Sequence, residues 1–576
     1  MDPVAGLRSL RKSASCRPEI WLAAYHDRPC AGKQRESSFD AFLHANRSHF
    51  ARKRYDITSP MIRSFLTVST GTLASRLLGF ARDSLIAALL GTGAVADAFL
   101  AAFQLVNVVR RLLSEGALNA ALIPAWLRVR DRDGEHAASA FAGRVLGTVS
   151  AALIAISIVI ALLMPLIITI IAPGFIGSST LDLAVANARL MLPYLAFAGP
   201  VTVLMGLLNA QGRFALTAFS PLLFNTALIA AAALLLVGHA DAPFAAWMLA
   251  ATVGLAGLLQ LAMLLSQRSG RIATPLRMSF DKEMRDFFAK AIPGMIASSG
   301  PQWLMVAGAI IASATPSAVS WLYFANRLIE LPLGIVGVAM GTVLVPELTR
   351  AVSLGDRDAA AHAESRALEL AAGLALPATL GLIVLAEPIV RILFEHGAFG
   401  AADSTATAHA LMWLALGLPA HVLIKALSPA FYARSDTMTP LLATTKGFVV
   451  TIALAILLGH YFGASGIAAS IAAGAWSSAL SLLRKGAREF GFSVDAAARQ
   501  RLPRIVFAAA AMGALLWLTM SLVPAEAHGL IRFVALGFQI AAGIAVYGLL
   551  LQILGVASLR EAAAALKRPA THDPRA

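Results

Sequence analysis

The stretch VVRRLLSEGAL, Val108 to Leu118, sets Arg110 and Arg111 side by side and puts Glu115 one helical turn on, inside an otherwise apolar segment. Two other apolar segments do the same: SRLLGFARD carries Ser75, Arg76, Arg82 and Asp83, and WLYFANRLIELP carries Asn326, Arg327 and Glu330. On a helix Arg111 and Glu115 pair at i, i+4, which leaves Arg110 rotated about 100° away and able to reach a ligand. Arg76 and Asp83 share a face, and Gly79 between them permits a bend or close helix packing. Arg327 and Glu330 pair at i, i+3. Taken singly, each pair also reads as an ion pair joining helices. Helix joining needs matched charges, however, whereas a surplus of arginine suits the planar, multi-donor recognition of phosphate or carboxylate. The chemistry expected is therefore anion binding.

Catalysis is not expected. The sequence has no Walker A loop, no HExxH and no nucleophile elbow. His239, His396, His409, His421 and His460 lack metal-ligand spacing, and loop polarity accounts for them more simply. Both cysteines, Cys16 and Cys30, precede the first apolar span, which leaves the rest of the chain no thiol for redox or metal work. The reading is a non-enzyme with no cofactor and no metal. Lys425 and Lys446 either snorkel toward an interface or pair locally.

The elements that must position these charges are membrane spans. The 576 residues are 58% hydrophobic and 14% charged, with a mean hydropathy of +0.73, far from the roughly 25% charge of soluble domains. Apolar stretches of about 20 residues, enough to cross a bilayer as a helix, recur from Phe65 to Leu554. The net charge of +15 needs no nucleic-acid partner, because membrane proteins collect Lys and Arg in cytoplasmic loops. Charge punctuation counts the spans. GTGAVA, APGFIGSST, HADAP and SATPSAV carry no Lys or Arg, and they alternate with RVRDRDGEHA, QGR, the segment RSGRIATPLRMSFDKEMR, TRAVSLGDRD, ARSD and RKGAREFGF. About 14 helices with both termini cytoplasmic satisfy every alternation. Arg110 then lies about 20 Å along the second helix at about 1.5 Å per residue, near mid-membrane. A lipid-facing Arg there costs about 2.5 to 3.5 kcal/mol even on a lenient scale, so Arg76, Arg82, Arg110 and Arg327 are expected to face a wet, net-positive cavity.

An internal repeat supports this layout. LIPAWLR around Pro124 returns as LVPELTR around Pro346, GRFALTAFSPLL resembles ARSDTMTPLL, and VGH at His239 is echoed by LGH at His460. The expected organisation is a disordered basic extension over 1–60, six-helix lobes over 61–270 and 281–490, a helix pair over 501–557 and a cytoplasmic tail over 558–576. Each lobe has an even number of spans, so an axis along the membrane normal should relate the two around a central cavity. With no ATP site, active transport would draw on an ion gradient, the membrane potential or substrate supply.

SRLLGFARDSLIAALLGTGAVADAF, RRLLSEGAL, ALIPAW, APGF, FANRLIELPLGIVGVAMGTVLVPEL and KALSPAFYARSDTMTP together resemble the MurJ (MviN) family. These are bacterial lipid II flippases of the multidrug/oligosaccharidyl-lipid/polysaccharide exporter superfamily, and the resemblance runs from Met61 to about Leu554. It implies an all-α inner-membrane protein that moves undecaprenyl-diphosphate-linked disaccharide-pentapeptide to the periplasmic leaflet for peptidoglycan synthesis by alternating access. The partners implied are lipid II, membrane lipids and the peptidoglycan-synthesis machinery, with a monomeric chain. Carried over by motif, the substrate-binding residues are Ser75, Arg76, Arg82, Arg110 and Arg327. Asp83, Asp97, Arg111, Glu115, Asn326 and Glu330 would organise or gate the site. Where the family often has Asp before the eighth-helix Arg this chain has Asn326, which implies a neutral hydrogen bond in place of one gating ion pair. Leu118 replaces a common Phe, a packing change. A flippase for another polyprenyl-diphosphate oligosaccharide fits the same charges and is separated only by the motifs. A MATE-like drug exporter, holding cations on acids, fits them less well. A membrane scaffold would not need mid-membrane arginine, and an intramembrane glycosyltransferase would show an acid/base constellation.

Overall fold

The computed structural model describes residues 70–71, 74–114, 117–266, 273, 276–298, 300–340, 344–434, 436–491, 495–521 and 529–556. The extension 1–60 and the tail 558–576 lie outside the described residues, as does Glu115; Arg111 is described in its backbone alone. Every regular element among the described residues is a helix.

The helices follow from alanine- and leucine-rich segments bounded by glycine, proline and short polar turns. The first part of the chain gives α1 (74–90), α2 (Ala94–Ser114), α3 (Ala117–Leu162), α4 (Met164–Ile171), α5 (Ser179–Met191), α6 (Pro193–Ala210), α7 (Phe214–Val237) and α8 (Ala242–Ser266). The second part gives α9 (Lys282–Ser298), α10 (Gly300–Ala312), α11 (Ala318–Ala339), α12 (Val345–Ser353), α13 (Arg357–Val384) and α14 (Ala386–Phe394). It continues with α15 (Ala401–Ala415), α16 (Leu418–Ala433), α17 (Met438–Glu489), α18 (Ala496–Met520) and α19 (Leu530–Ile553).

Nine spans among the described residues are long and apolar enough to cross a bilayer. One of them, α17, is 52 residues long and turns at Gly463 (φ 55°), so it counts as two traverses and makes ten. Likewise α3 turns at Gly134 (φ 88°), and only its second part crosses. Both turns need a left-handed backbone that glycine alone adopts readily. Four more traverses, α1, α2, the α9–α10 pair and α11, bring the number to fourteen. Three of these four carry the charged motifs, which is why apolarity alone passes over them. Lipid-facing positions such as Leu162, Leu234, Val237 and Phe538 are bare hydrocarbon, as a bilayer solvent requires.

Packing is mostly between helices of the same half. In the first half, α3 packs on α6, α2 on α5, and α8 on α6 and α7. In the second, α10 packs on α17, α11 on α15, and α16 on α13 and α17. Helix α18 lies against α13, and α19 against α18, where the Tyr547 hydroxyl donates to the Gly373 carbonyl at 2.7 Å.

The GTGAVA, APGFIGSST and SATPSAV turns gather at one end of the bundle, and there hydrogen bonds join the halves. Ala398 N–H donates to the Ala88 carbonyl at 2.8 Å, and the Ser84 hydroxyl donates to the Leu393 carbonyl at 2.5 Å. Thr92 Oγ1 donates to Asp403 Oδ1 at 2.6 Å, and Gly174 N–H to Ser313 Oγ at 2.9 Å. The backbones touch: a Cβ on Gly397 would fall 2.3 Å from the Ala88 oxygen, and one on Gly91 2.6 Å from the Ala398 oxygen.

At the base-rich end an extended strap, residues 276–280, runs along α3 before α9 begins. Ser279 N–H donates to Thr148 Oγ1 at 3.1 Å. Gly147 permits this approach, since a Cβ there would meet the Arg277 carbonyl oxygen at 2.6 Å. Asp281 caps α9 by accepting from Met284 N–H at 2.9 Å, and also accepts the Ser279 hydroxyl at 2.7 Å. The Ser279 hydroxyl, then the Met284 N–H, hold the Asp281 carboxyl below its ordinary value of 3.8. A lowered carboxyl stabilises the folded form above that ordinary value and loses the contribution as pH falls below it. Met284 amide protection, corrected for intrinsic exchange, is therefore expected to drop between pH 6 and pH 3 in wild type. In Asp281→Ala it should already be low at pH 6.

Candidate functional site

Asp83 is the hub of the site. It sits on α1, fully buried, and its Oδ1 accepts from Arg82 Nε and Nη2 at 2.9 and 2.6 Å and from the Tyr323 hydroxyl at 3.4 Å. Its Oδ2 closes an ion pair with Arg327 Nε at 2.6 Å, off the hydrogen-bond line. One carboxylate thus ties α1 to α11, across the two halves.

Arg82 is held on every side. Nη1 donates to Asn225 Oδ1 at 3.0 Å, while the guanidinium lies 5.2 Å from the Phe103 ring centroid and 5.8 Å from that of Phe224. Cation–π attraction of this kind grows as water is removed. Asn225 in turn donates to the Ser75 carbonyl at 3.0 Å, fixing α7 against α1. Arg327 also donates to Glu330 Oε2 at 2.8 Å and lies over Phe80 at 5.3 Å. Asn326 Nδ2 donates to Glu330 Oε1 at 3.4 Å, a long bond to a carboxylate one turn along the same helix.

Two glycines seat the arginines of the opposite half. A Cβ on Gly79 of α1 would fall 2.1 Å from Arg327 Nη2, and one on Gly334 of α11 would fall 2.1 to 2.3 Å from the three outer guanidinium atoms of Arg76. Arg76 Nη1 also donates to the Glu330 carbonyl at 3.1 Å. Helix α1 runs through Gly79 unbroken. Of the two uses expected for that glycine, the structure shows close packing.

These groups line a cavity of about 1040 Å³ whose wall includes Ser75, Arg76, Arg82, Arg110, Asn326, Arg327, Glu330 and Lys425. Among the described residues its cationic side chains outnumber its single carboxylate, and counting Asp83 behind the wall still leaves a positive surplus. Arg110 lies in the wall with Nε donating to Asn107 Oδ1 at 3.2 Å. The pairing of Arg111 with Glu115 falls outside the described side chains. The α1, α2 and α7 lining comes from the parts of those helices nearer the base-rich end, and the α6 lining runs the length of that helix from Tyr194 to Asn209.

Asp97 stands apart, at the joined end. Its Oδ2 accepts from Ser317 N–H and its Oδ1 from Ser320 N–H, both at 2.9 Å, and the Ser320 hydroxyl donates to it as well. A carboxylate is thereby placed on the N-terminus of α11, where the helix dipole favours it. It is a second tie between the halves. Asp403, which sequence reasoning passed over, does parallel work: it takes Thr92 and also Trp321 Nε1 at 3.2 Å. Asn225, Tyr323 and Asp403 were missed, and Lys425, expected to snorkel toward an interface or pair locally, lies in the cavity wall. A polar residue in an apolar run was the available signal for each.

Among the described residues, fourteen helical traverses surround a polar cavity, a fold shared with solved transporters of the multidrug/oligosaccharidyl-lipid/polysaccharide superfamily. An inward-facing MATE family transporter of that superfamily superposes with a TM-score of 0.61 at 15% identity, covering 77% of this chain and 98% of that one. Residues 86–537 match the family described as lipid II flippase MurJ, and the chain belongs to that family. A probable lipid II flippase MurJ of Rhizobium meliloti is 38% identical over 89% of this chain and 97% of its own. One from Rhizobium tropici is 37% identical over 86% and 94%. A solved structure titled lipid II flippase MurJ, inward closed conformation, has a TM-score of 0.69 at 23% identity, covering 85% of this chain and 98% of that one.

Proposed function

We propose that this chain is a lipid II flippase, moving undecaprenyl-diphosphate-linked peptidoglycan precursor across the bacterial inner membrane by alternating access. Family membership supports the cargo, and the cationic surplus of the cavity is the observation that carries the mechanism. A diphosphate with peptide carboxylates matches guanidinium forks, which bind phosphate oxygens in pairs. Arg76, Arg82, Arg110 and Arg327 take the diphosphate, with Ser75 beside them. Asp83, Glu330 and Asn326 hold the arginines in place, and Asp97 latches α11.

In this reading the base-rich end is cytoplasmic and both termini lie on that side. The six-helix lobes, 61–270 and 281–490, rock about the cavity while the helix pair flanks the lipid tail. In this reading cargo enters from the cytoplasm while the bonds around Ala88, Asp97 and Asp403 hold the periplasmic end together. A MATE-like exporter would share the fold, but the cavity charge has the wrong sign for a cationic drug. The protein works as a monomer beside the peptidoglycan-synthesis machinery.

The test is complementation after depletion of the host flippase, scoring lipid II accessible at the outer face. Wild type restores export, and Arg327→Ala lowers it by about 10- to 100-fold, the worth of one lost charge-assisted contact. Wild-type-like export by Arg327→Ala removes the arginine mechanism, and failure of the wild type removes the function.

A further inference from the structure

His421 and Lys425 stand one turn apart on α16 and both line the cavity, from the half opposite the arginines of α1 and α2. Spacing of i, i+4 puts them on one helix face. Lys425 Nζ lies 3.4 Å from where a Cβ on Gly337 would be. Gly337 is one turn of α11 beyond Gly334, which seats Arg76. The glycine face of α11 therefore has an ammonium from one half and a guanidinium from the other, about 5 Å apart along the helix. His421 is 8% exposed, yet its Nδ1 has no hydrogen-bond partner among the described residues. A buried polar atom left in this way is destabilising unless something supplies the missing bond.

We infer that His421 and Lys425, with Gly337 leaving room for the ammonium, form a second anion subsite that takes a carboxylate or phosphate oxygen of the cargo. The inference rests on the flippase reading and deepens it. A cargo held from both halves is bound best when both walls converge on it. The ammonium supplies charge, and the imidazole, whose Nδ1 is covered in this state, donates the bond that fixes the oxygen's position once the walls close on the cargo.

Binding to the full chain in lipid nanodiscs tests this with two probes: undecaprenyl-diphosphate-linked disaccharide-pentapeptide, and undecaprenyl diphosphate without sugar or peptide. Lys425→Gln and His421→Ala are each expected to weaken the first probe by about tenfold, the loss of one charge-assisted hydrogen bond. Lys425→Arg, which keeps the cation, should recover most of it. If the second probe is unaffected, the subsite reads a peptide carboxylate; if both weaken alike, it reads phosphate. Unchanged binding of both probes by Lys425→Gln and His421→Ala, with normal wild-type affinity, overturns the subsite alone. A wild-type protein that binds neither probe overturns the flippase reading and the subsite together.

Discussion

Asp83→Ala is expected to lower export by about 100-fold or more, the largest effect of any single substitution in the site. The carboxylate is fully buried and faces Arg82 and Arg327 within 3 Å. Removing it leaves two guanidiniums in a low-dielectric wall without that partner. Breaking a buried pair from one side costs about 3–5 kcal/mol, because the remaining charge stays desolvated. Part of that appears as lost protein and part as lost tie between α1 and α11. Adding Arg327→Met to Asp83→Ala separates the two. The double variant should recover membrane abundance, since one orphaned charge is gone, without recovering export. Normal export by Asp83→Ala would refute the hub.

Gly334→Ala is expected to cut export by about tenfold while leaving the amount of folded protein unchanged. The added methyl would collide with all three outer atoms of the Arg76 guanidinium. That group ends a flexible chain, so it moves aside and the fold survives. What is lost is its placement in the cavity wall, worth about one charge-assisted hydrogen bond. Arg76→Lys in the same background, with a slimmer head, should recover part of the loss. A fall in abundance matching the fall in export would show Gly334 to be merely structural. The reciprocal change, Gly79→Ala, displaces Arg327 in the same way.

The spans were legible because a bilayer imposes length and apolarity, and because loop charge alternates. Arg76, Arg82, Arg110 and Arg327 were legible for the converse reason: a cation at that depth must face something polar. One local partner followed from helix spacing: Arg327 and Glu330 meet at 2.8 Å. The cross-half partners were not legible. Nothing near Asp83 in sequence announces Arg327, and nothing near Asp97 announces Ser320, because those bonds are set by how the halves dock. Asn225 shows the limit most clearly. One amide in an apolar helix reads as a polar interruption, and only the fold shows it joining Arg82 to Ser75.

The joined end, with its backbone bond from Ala398 to Ala88, its hydroxyl donors and a carboxylate on a helix terminus, has a consequence for how salt acts. Neutral hydrogen bonds and buried short-range contacts are nearly blind to ionic strength, whereas attraction between a cationic mouth and a polyanionic headgroup is screened beyond about 8 Å at physiological salt. In the proposed cycle, salt therefore separates the arrival of cargo from the hold of the joined end. Raising it slows the arrival of cargo and leaves the closed end as tightly shut as before.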